Sequence, residues 1–314
     1  LYACARFLAE TIATLPIRMY RTLPDGSLEP APNHPLDDLL RVQPNKVQTS
    51  IEFLETMMIN ALLQGVAYAE IIPGARGAVD QIKPIHPDFV KQEEMDGGGL
   101  RFEVRNPKDG TRRILLQEEV FRIMGLSSDG ITPMRLVDYA AEAIGLGIAQ
   151  DQFAARMFRN NLNFGVILEH PGKLSPEGQK NLIDAFMARL AGPYNAHRPM
   201  LLQEGIKASK ATQNATEAQL LEARKWQLGE IARFLRIPLQ FVGVEDQTNR
   251  STAEEMSISL VKYTVRPLAK RIEQSISRDL ITARQYEAKF NLDGLQRGNM
   301  QVRYEAWFRA LGGG

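Results

Sequence analysis

A chain of 314 residues exceeds the roughly 100–200 residues of an ordinary domain, so two or more packed units are expected. Its 44% hydrophobic and 24% charged residues are those of a globular protein, and 38 Lys+Arg against 37 Asp+Glu exclude a surface that is one basic field for duplex nucleic acid. The single cysteine, Cys4, excludes an internal disulfide and a cysteine-rich zinc module, and points to a reducing compartment.

Apolar residues at Leu1, Ala5, Leu8, Ile12 and Leu15 predict an amphipathic helix stopped at Pro16. Ile17 to Tyr20 alternate and Pro24-Asp25-Gly26 makes a turn, which predicts a β-hairpin. A second helix is expected over 49–64, with Thr49 as cap, Glu52 three residues on and Gly65 as stop. Ala67 to Ile72 and Val79 to Ile85 read as strands. Asp96-Gly97 and Asp109-Gly110 flank two further ribbons, Leu100–Val104 and Arg112–Leu116.

After Gly125–Gly130 (GLSSDG), Thr132 and Pro133 predict the start of one helix running to about Asn160, a rod of about 40 Å. Small residues crowd its middle: Ala140, Ala141, Ala143, Gly145, Gly147 and Ala149. Glycine inside a helix costs up to about 1 kcal/mol against alanine, so a close approach of another backbone is expected there. A short insert follows, with a strand at Phe164–Glu169, a helix at Ser175–Leu190 and a strand at Pro199–Gln203. It is small for a free-standing core. A further rod is expected over 216–236, capped by Thr216 with Gln219 and striped by Leu221, Leu228, Ala232 and Leu235. The last long helix runs from about Ser251 to Ile281; Val261, Val265, Leu268, Ile272, Ile276 and Leu280 keep its period across Pro267, where a kink is predicted.

Chemistry is sparse. There is no P-loop, dinucleotide fingerprint, nucleophile elbow or zincin motif, and His34, His86, His170 and His197 form no ligand pair. Cys4 reads as a packed thiol, and His34 and His86, each before a proline, as turn-edge residues. Glu93-Glu94 and Glu254-Glu255 read as solvated or helix-terminal charge, and Ser127-Ser128-Asp129-Gly130 as a capping loop. Trp226 can pack on a neighbouring helix or stack on a base. Asp129, Asp246 and Glu254-Glu255 are the only loop-edge carboxylates for a metal-dependent enzyme acting on nucleic acid. No apolar run reaches the about 18 residues of a membrane span. The chain opens at Leu1 without a methionine and closes on Gly312-Gly313-Gly314, as a piece of a longer protein would.

An ordered set of stretches resembles the portal protein of tailed bacteriophages, in the branch shared with gene transfer agents. These are LAETIATLP (8–16), His34-Pro35-Leu36 through Leu40 with Pro44-Asn45, GVAYA (65–69), GLSSDG (125–130) and NNLNFG (160–165). FLRIPLQFV (234–242), YTVRPLAKRI (263–272) and FNLDGLQRG (290–298) complete it. The resemblance implies an α+β portal fold with an α/β wing, an antiparallel helical stem, a small α/β clip and a long kinked wing helix. Residues 1–131 and 252–314 would be wing, 132–161 and 214–236 stem helices, 162–213 clip, and 237–251 the tunnel loop.

It further implies a non-enzymatic role without cofactors. The chain would be one subunit of a ring, generally of twelve, at a capsid vertex of a virion or virus-like particle assembled in the host cytoplasm. Double-stranded DNA would pass through, with the large terminase subunit, a head-completion adaptor and the major capsid protein as partners and no membrane. The tunnel loop Glu245, Asp246, Gln247, Thr248, Asn249 and Arg250 carries a net −1, suited to guiding DNA without gripping it. Arg250 would touch phosphate or pair with Asp246 or Glu254. The clip's Lys173, Lys180, Arg198, Lys207 and Lys210 would face terminase or adaptor, and Ala140, Ala141, Gly145 and Gly147 would pack against the next subunit. A structural scaffold that never meets DNA is the remaining alternative.

Overall fold

The computed structural model describes residues 1–74, 78–159, 166–190, 206–210, 217–243 and 250–295. The chain divides into two units, Leu1–Ala141 with Gly229–Gly314, and Glu142–Leu228.

In the first unit, helix α1 (Tyr2–Ala13) buries Ala5, Leu8, Ala9 and Ile12 against α3 (Ser50–Gln64). The ends of α3 follow local rules. Thr49 and Glu52 form a reciprocal capping box, with the Thr49 amide donating to Glu52 Oε2 at 2.7 Å, and Gly65 closes the helix in the left-handed region at φ 75. Strand β1 (Ile17–Thr22) pairs with β2 (Leu28–Pro30) across the Asp25-Gly26 turn and with β11 (Tyr286–Phe290) on its other side. Between them α2 (Pro35–Arg41) starts on His34. A second antiparallel sheet runs β4 (Val79–Ile85), β3 (Val66–Pro73), β8 (Val120–Met124); a third runs β5 (Val90–Glu94), β6 (Leu100–Arg105), β7 (Arg112–Leu116). Phe53, Met57, Met58, Phe121, Ile272 and Ile276 are enclosed in the main core, while Phe102 anchors a smaller one under the third sheet.

The helix expected to open at Thr132 does not. Asp129 Oδ1 accepts the amides of Ile131 (2.8 Å) and Thr132 (2.7 Å), and Met134 N–H is bound to Leu126 O, so the Thr132-Pro133 signal is spent inside a loop. One helical turn, α4 (Leu136–Tyr139), follows, and Ala140 at φ −91, ψ 2 separates it from α5 (Ala141–Arg159). The helix expected through Pro267 is likewise three pieces: α8 (Arg250–Leu260), a π-helical turn (Val261–Val265) and α9 (Arg266–Asp279). A proline at 267 cannot donate to the carbonyl of residue 263 and clashes with it in an α-helix; the wider turn places that proline at the start of a new helix instead. Val261, Val265, Ile272, Ile276 and Leu280 of the expected stripe are buried and Leu268 is half-buried.

In the second unit, α5 and α7 (Glu217–Phe234) run antiparallel. Arg224 Nη2 reaches Asp151 at 2.7 Å and the Gln227 amide donates to the Ala143 carbonyl. Of the stripe expected on α7, Ala232 and Leu235 are buried, whereas Leu228 is exposed and Gln227 is 5% exposed. A helix carbonyl is normally shielded by the side chain four residues on. At Ala143 that residue is Gly147, whose Cβ position lies 3.6 Å from the Gln227 side chain, so the amide is admitted. Strand β9 (Val166–Glu169) is followed by α6 (Pro176–Leu190), whose Ser175 accepts the Gly178 amide at 3.1 Å. The partner of β9 is β10 (Lys207–Lys210), with Lys207 opposite Glu169 and Lys210 opposite Val166. The strand expected at Pro199–Gln203, and Thr216 of the expected cap, lie outside the described residues.

Candidate functional site

Of the residues weighed for catalysis, Cys4, His34, His86, Asp129 and Glu93 are held in structural roles, while Asp246 lies outside the described residues and Glu255 is exposed on the last long helix. Cys4 is buried and burial pushes its thiol up, away from the nucleophilic thiolate. His34 and His86 cap helical turns: Nδ1 of each accepts the amide two residues on, Leu36 at 3.2 Å and Asp88 at 3.3 Å. At His34 this requires the neutral ring, and burial holds that ring below the ordinary histidine range. Asp129 is held far below the usual carboxylate range by hydrogen bonds from Thr132, Ile131 and Ser127. Glu93 is lowered by hydrogen bonds from Lys91 and Arg101. Among the described residues no three His, Cys, Asp or Glu are grouped to hold a metal, and no helix is long and apolar enough to cross a membrane. Trp226 stands exposed on α7.

Of the expected tunnel-loop residues, Glu245, Asp246, Gln247, Thr248 and Asn249 lie outside the described residues, and Arg250 already opens α8. Of the clip cations, Lys173, Lys180 and Lys207 are exposed, Lys210 ends β10, and Arg198 lies outside the described residues. Lys173 lines a cavity of about 590 Å³ with His170, Leu174, Gln179, Leu182 and Ile183. The small residues expected to meet another subunit divide. Ala140 is fully covered by its own chain, and the Cβ position of Gly147 lies 3.6 Å from the Gln227 side chain. Ala141 is exposed and Gly145 faces open space. Beside Gly145, Leu146 (51% exposed), Ala149 and Phe153 (47%) form a second apolar stripe on a face of α5 flanking that of Ala143 and Gly147.

Most of the stretches quoted for the resemblance meet in space as joints of the fold; NNLNFG (160–165) lies outside the described residues. GVAYA and GLSSDG are adjoining ends of paired strands, where Gly125 N–H donates to Gly65 O at 2.8 Å. Asn45 caps its own turn, accepting from Val47 and Gln48, and donates to Ile82 O at 3.0 Å. FLRIPLQFV and YTVRPLAKRI are tied by Thr264 Oγ1 donating to Arg236 O at 2.7 Å. LAETIATLP and FNLDG are tied by Asn291 N–H to Pro16 O at 2.8 Å.

Several buried ionic joints escaped the sequence. Asp37 accepts the Met19 amide at 2.9 Å with Arg18 and Arg41 at 3.5 Å, and Glu273 accepts the Phe290 amide at 2.9 Å. Asp279 accepts the Arg122 amide while Arg278 binds both its oxygens; near the Arg122 side chain the Tyr68 phenol is pushed up to about 12 by burial. Each looks in the sequence like any charge on a helix or strand.

A family model described as phage portal protein matches residues 1–314. The probable portal protein of Streptomyces phage phiC31 is 32% identical over 333 residues, covering 100% of this chain and 71% of its own. The portal protein of Enterobacteria phage HK97 is 27% identical over 317 residues, covering 99% of this chain and 74% of its own. A chain in the neck of a native gene transfer agent (GTA) particle with C12 symmetry has the same fold, with a TM-score of 0.69 at 20% identity, covering 100% of this chain and 85% of its own. A family model that matches the chain's whole length, together with a relative 32% identical over all of it, makes this chain a member of the phage portal protein family.

Proposed function

We propose that the chain is one subunit of a closed ring, twelve-fold like the gene transfer agent neck it resembles, whose channel passes double-stranded DNA at one vertex of a capsid. The observation that carries this is the second apolar stripe on α5: one face is used up by α7 of the same chain, and Leu146, Ala149 and Phe153 beside Gly145 are left for another copy. A head-to-tail interface that closes on rotation gives a ring. In this reading 132–161 and 214–236 are the stem, 162–213 the clip, 237–251 the tunnel loop, and 1–131 with 252–314 the wing. Assembly takes place in the host cytoplasm. The clip's exposed Lys173, Lys180 and Lys207 suit an acidic surface on terminase or a head-completion adaptor, and the wing meets the major capsid protein.

A near-neutral tunnel loop suits transit. About six firm phosphate contacts would make affinity fall with salt at a slope near −5 and hold the duplex in a deep well. Negative-stain imaging and mass photometry of the purified chain test the proposal: rings with a bore that admits a duplex are expected. F153D should remain monomeric with unchanged helical content. F153D rings as abundant as wild type would remove the α5 stripe from the interface.

A further inference from the structure

Arg236 is the only non-glycine residue at positive φ among the described residues, at φ 55. It closes α7: its own amide donates to Arg233 O at 3.1 Å and the Ile237 amide to Ala232 O at 3.0 Å, the pairing of a helix end that glycine ordinarily makes. Its carbonyl accepts from the hydroxyl of Thr264, which is 5% exposed. In a plain α-helix a threonine hydroxyl bonds back to its own helix. Here it leaves the helix, because Thr264 lies in the π turn Val261–Val265.

A π turn holds one residue more than an α turn. Converting it to α would rotate what precedes it by about 100° and draw it along by about 1.5 Å. The two flanks are unequal. Helix α9 is fixed by buried Ala269, Ile272 and Ile276 and by Arg271 on the Met124 carbonyl at 3.2 Å. On the other flank Leu260 is buried while Glu255 and Ile258 are exposed.

We infer that the Thr264–Arg236 hydrogen bond is a latch that holds α8 in one of two helical registers. Closed, the π turn is kept open and the end of α7 is kept left-handed; released, α8 slips by one residue while α9 stays. The latch rests on this geometry and not on the ring reading.

Hydrogen exchange followed by mass spectrometry on the full chain tests it. T264V removes the hydroxyl and keeps the shape, and should speed exchange at 235–242 and 255–265 about tenfold, while α1 and residues 268–279 of α9 stay as in wild type. T264S should stay within about twofold of wild type, since the hydroxyl is kept. T264V exchange equal to wild type, or acceleration spread evenly over α1 and α9, overturns the latch. Mass photometry of the same samples separates the two readings: a wild-type chain that shows the exchange pattern but no rings sinks the ring and spares the latch.

Discussion

Three glycines separate two costs that are usually measured together. Gly26 has φ 83 and open space where a Cβ would sit, so G26A carries only the left-handed backbone penalty. Gly125 lacks a positive φ, but its Cβ would fall 2.9 Å from the Gly65 carbonyl oxygen. Gly65 has both problems: φ 75, and a Cβ driven onto the Met134 carbonyl, 2.8 Å from its carbon. A left-handed alanine costs about 1–2 kcal/mol, partly offset by a stiffer unfolded chain. Overpacking against backbone adds about 1–3 kcal/mol, because a carbonyl cannot swing aside as a side-chain end can. G26A should therefore lose about 1 kcal/mol, G125A about 2 kcal/mol and G65A about 3 kcal/mol or more. Urea denaturation followed by circular dichroism reads all three, with G26A expected to shift the midpoint least. A G65A midpoint equal to that of G26A would mean that the α3–β3 corner and the 125–134 loop do not approach as closely as described.

Asp37 and Asp38 are adjacent, yet only Asp37 is buried, and D37A strands the buried Met19 amide and takes one partner from Arg18 and Arg41. A loss of about 2–4 kcal/mol in the same denaturation assay is expected for D37A and less than about 0.5 kcal/mol for D38A; equal losses would refute the joint. Acid should weaken the fold through His34. Its folded pKa lies below the unfolded value of about 6.5, so stability is full above that pH and falls as pH drops towards the folded pKa. Asp37 opposes the shift and the Tyr286 ring lies tilted beside it at 4.6 Å. H34N keeps an acceptor at the cap and does not titrate, so its urea midpoint should change less between pH 7.5 and 5.5 than that of wild type. On α7 the exposed Arg224–Asp151 pair and the buried Gln227 should behave oppositely: R224A should cost under about 0.5 kcal/mol and Q227A about 1–2 kcal/mol, and the reverse order would sink the account of Gly147.

Helix ends and hairpin turns were legible because their causes are local. Thr49, Glu52 and Gly65 act within one turn of the chain, and Gly26 needs no distant partner to bend. Strands β5 (VKQEE) and β10 (KASK) were not legible, since neither sequence prefers a strand and each is made one by the strand beside it. The Thr132-Pro133 helix start failed because Asp129, three residues away, captured the amides first. The expected α7 stripe held at Ala232 and Leu235 but not at Leu228, because one missing side chain on α5, at Gly147, admits Gln227 to the Ala143 carbonyl. Of the expected subunit contacts, only Ala141 and Gly145 remain open to solvent.

By itself the sequence determined the family, since an ordered set of short stretches survives any ignorance of how they fold, and it determined each element whose cap and period lie within a few residues. Tertiary structure alone decided what those stretches do. Pro16 with Asn291, Gly65 with Gly125 and Arg236 with Thr264 are pairs far apart in the chain, and no local preference records which carbonyl a distant amide or hydroxyl will reach. It also decided which face of α5 is taken and which is left open, because both are apolar and only the placing of α7 distinguishes them.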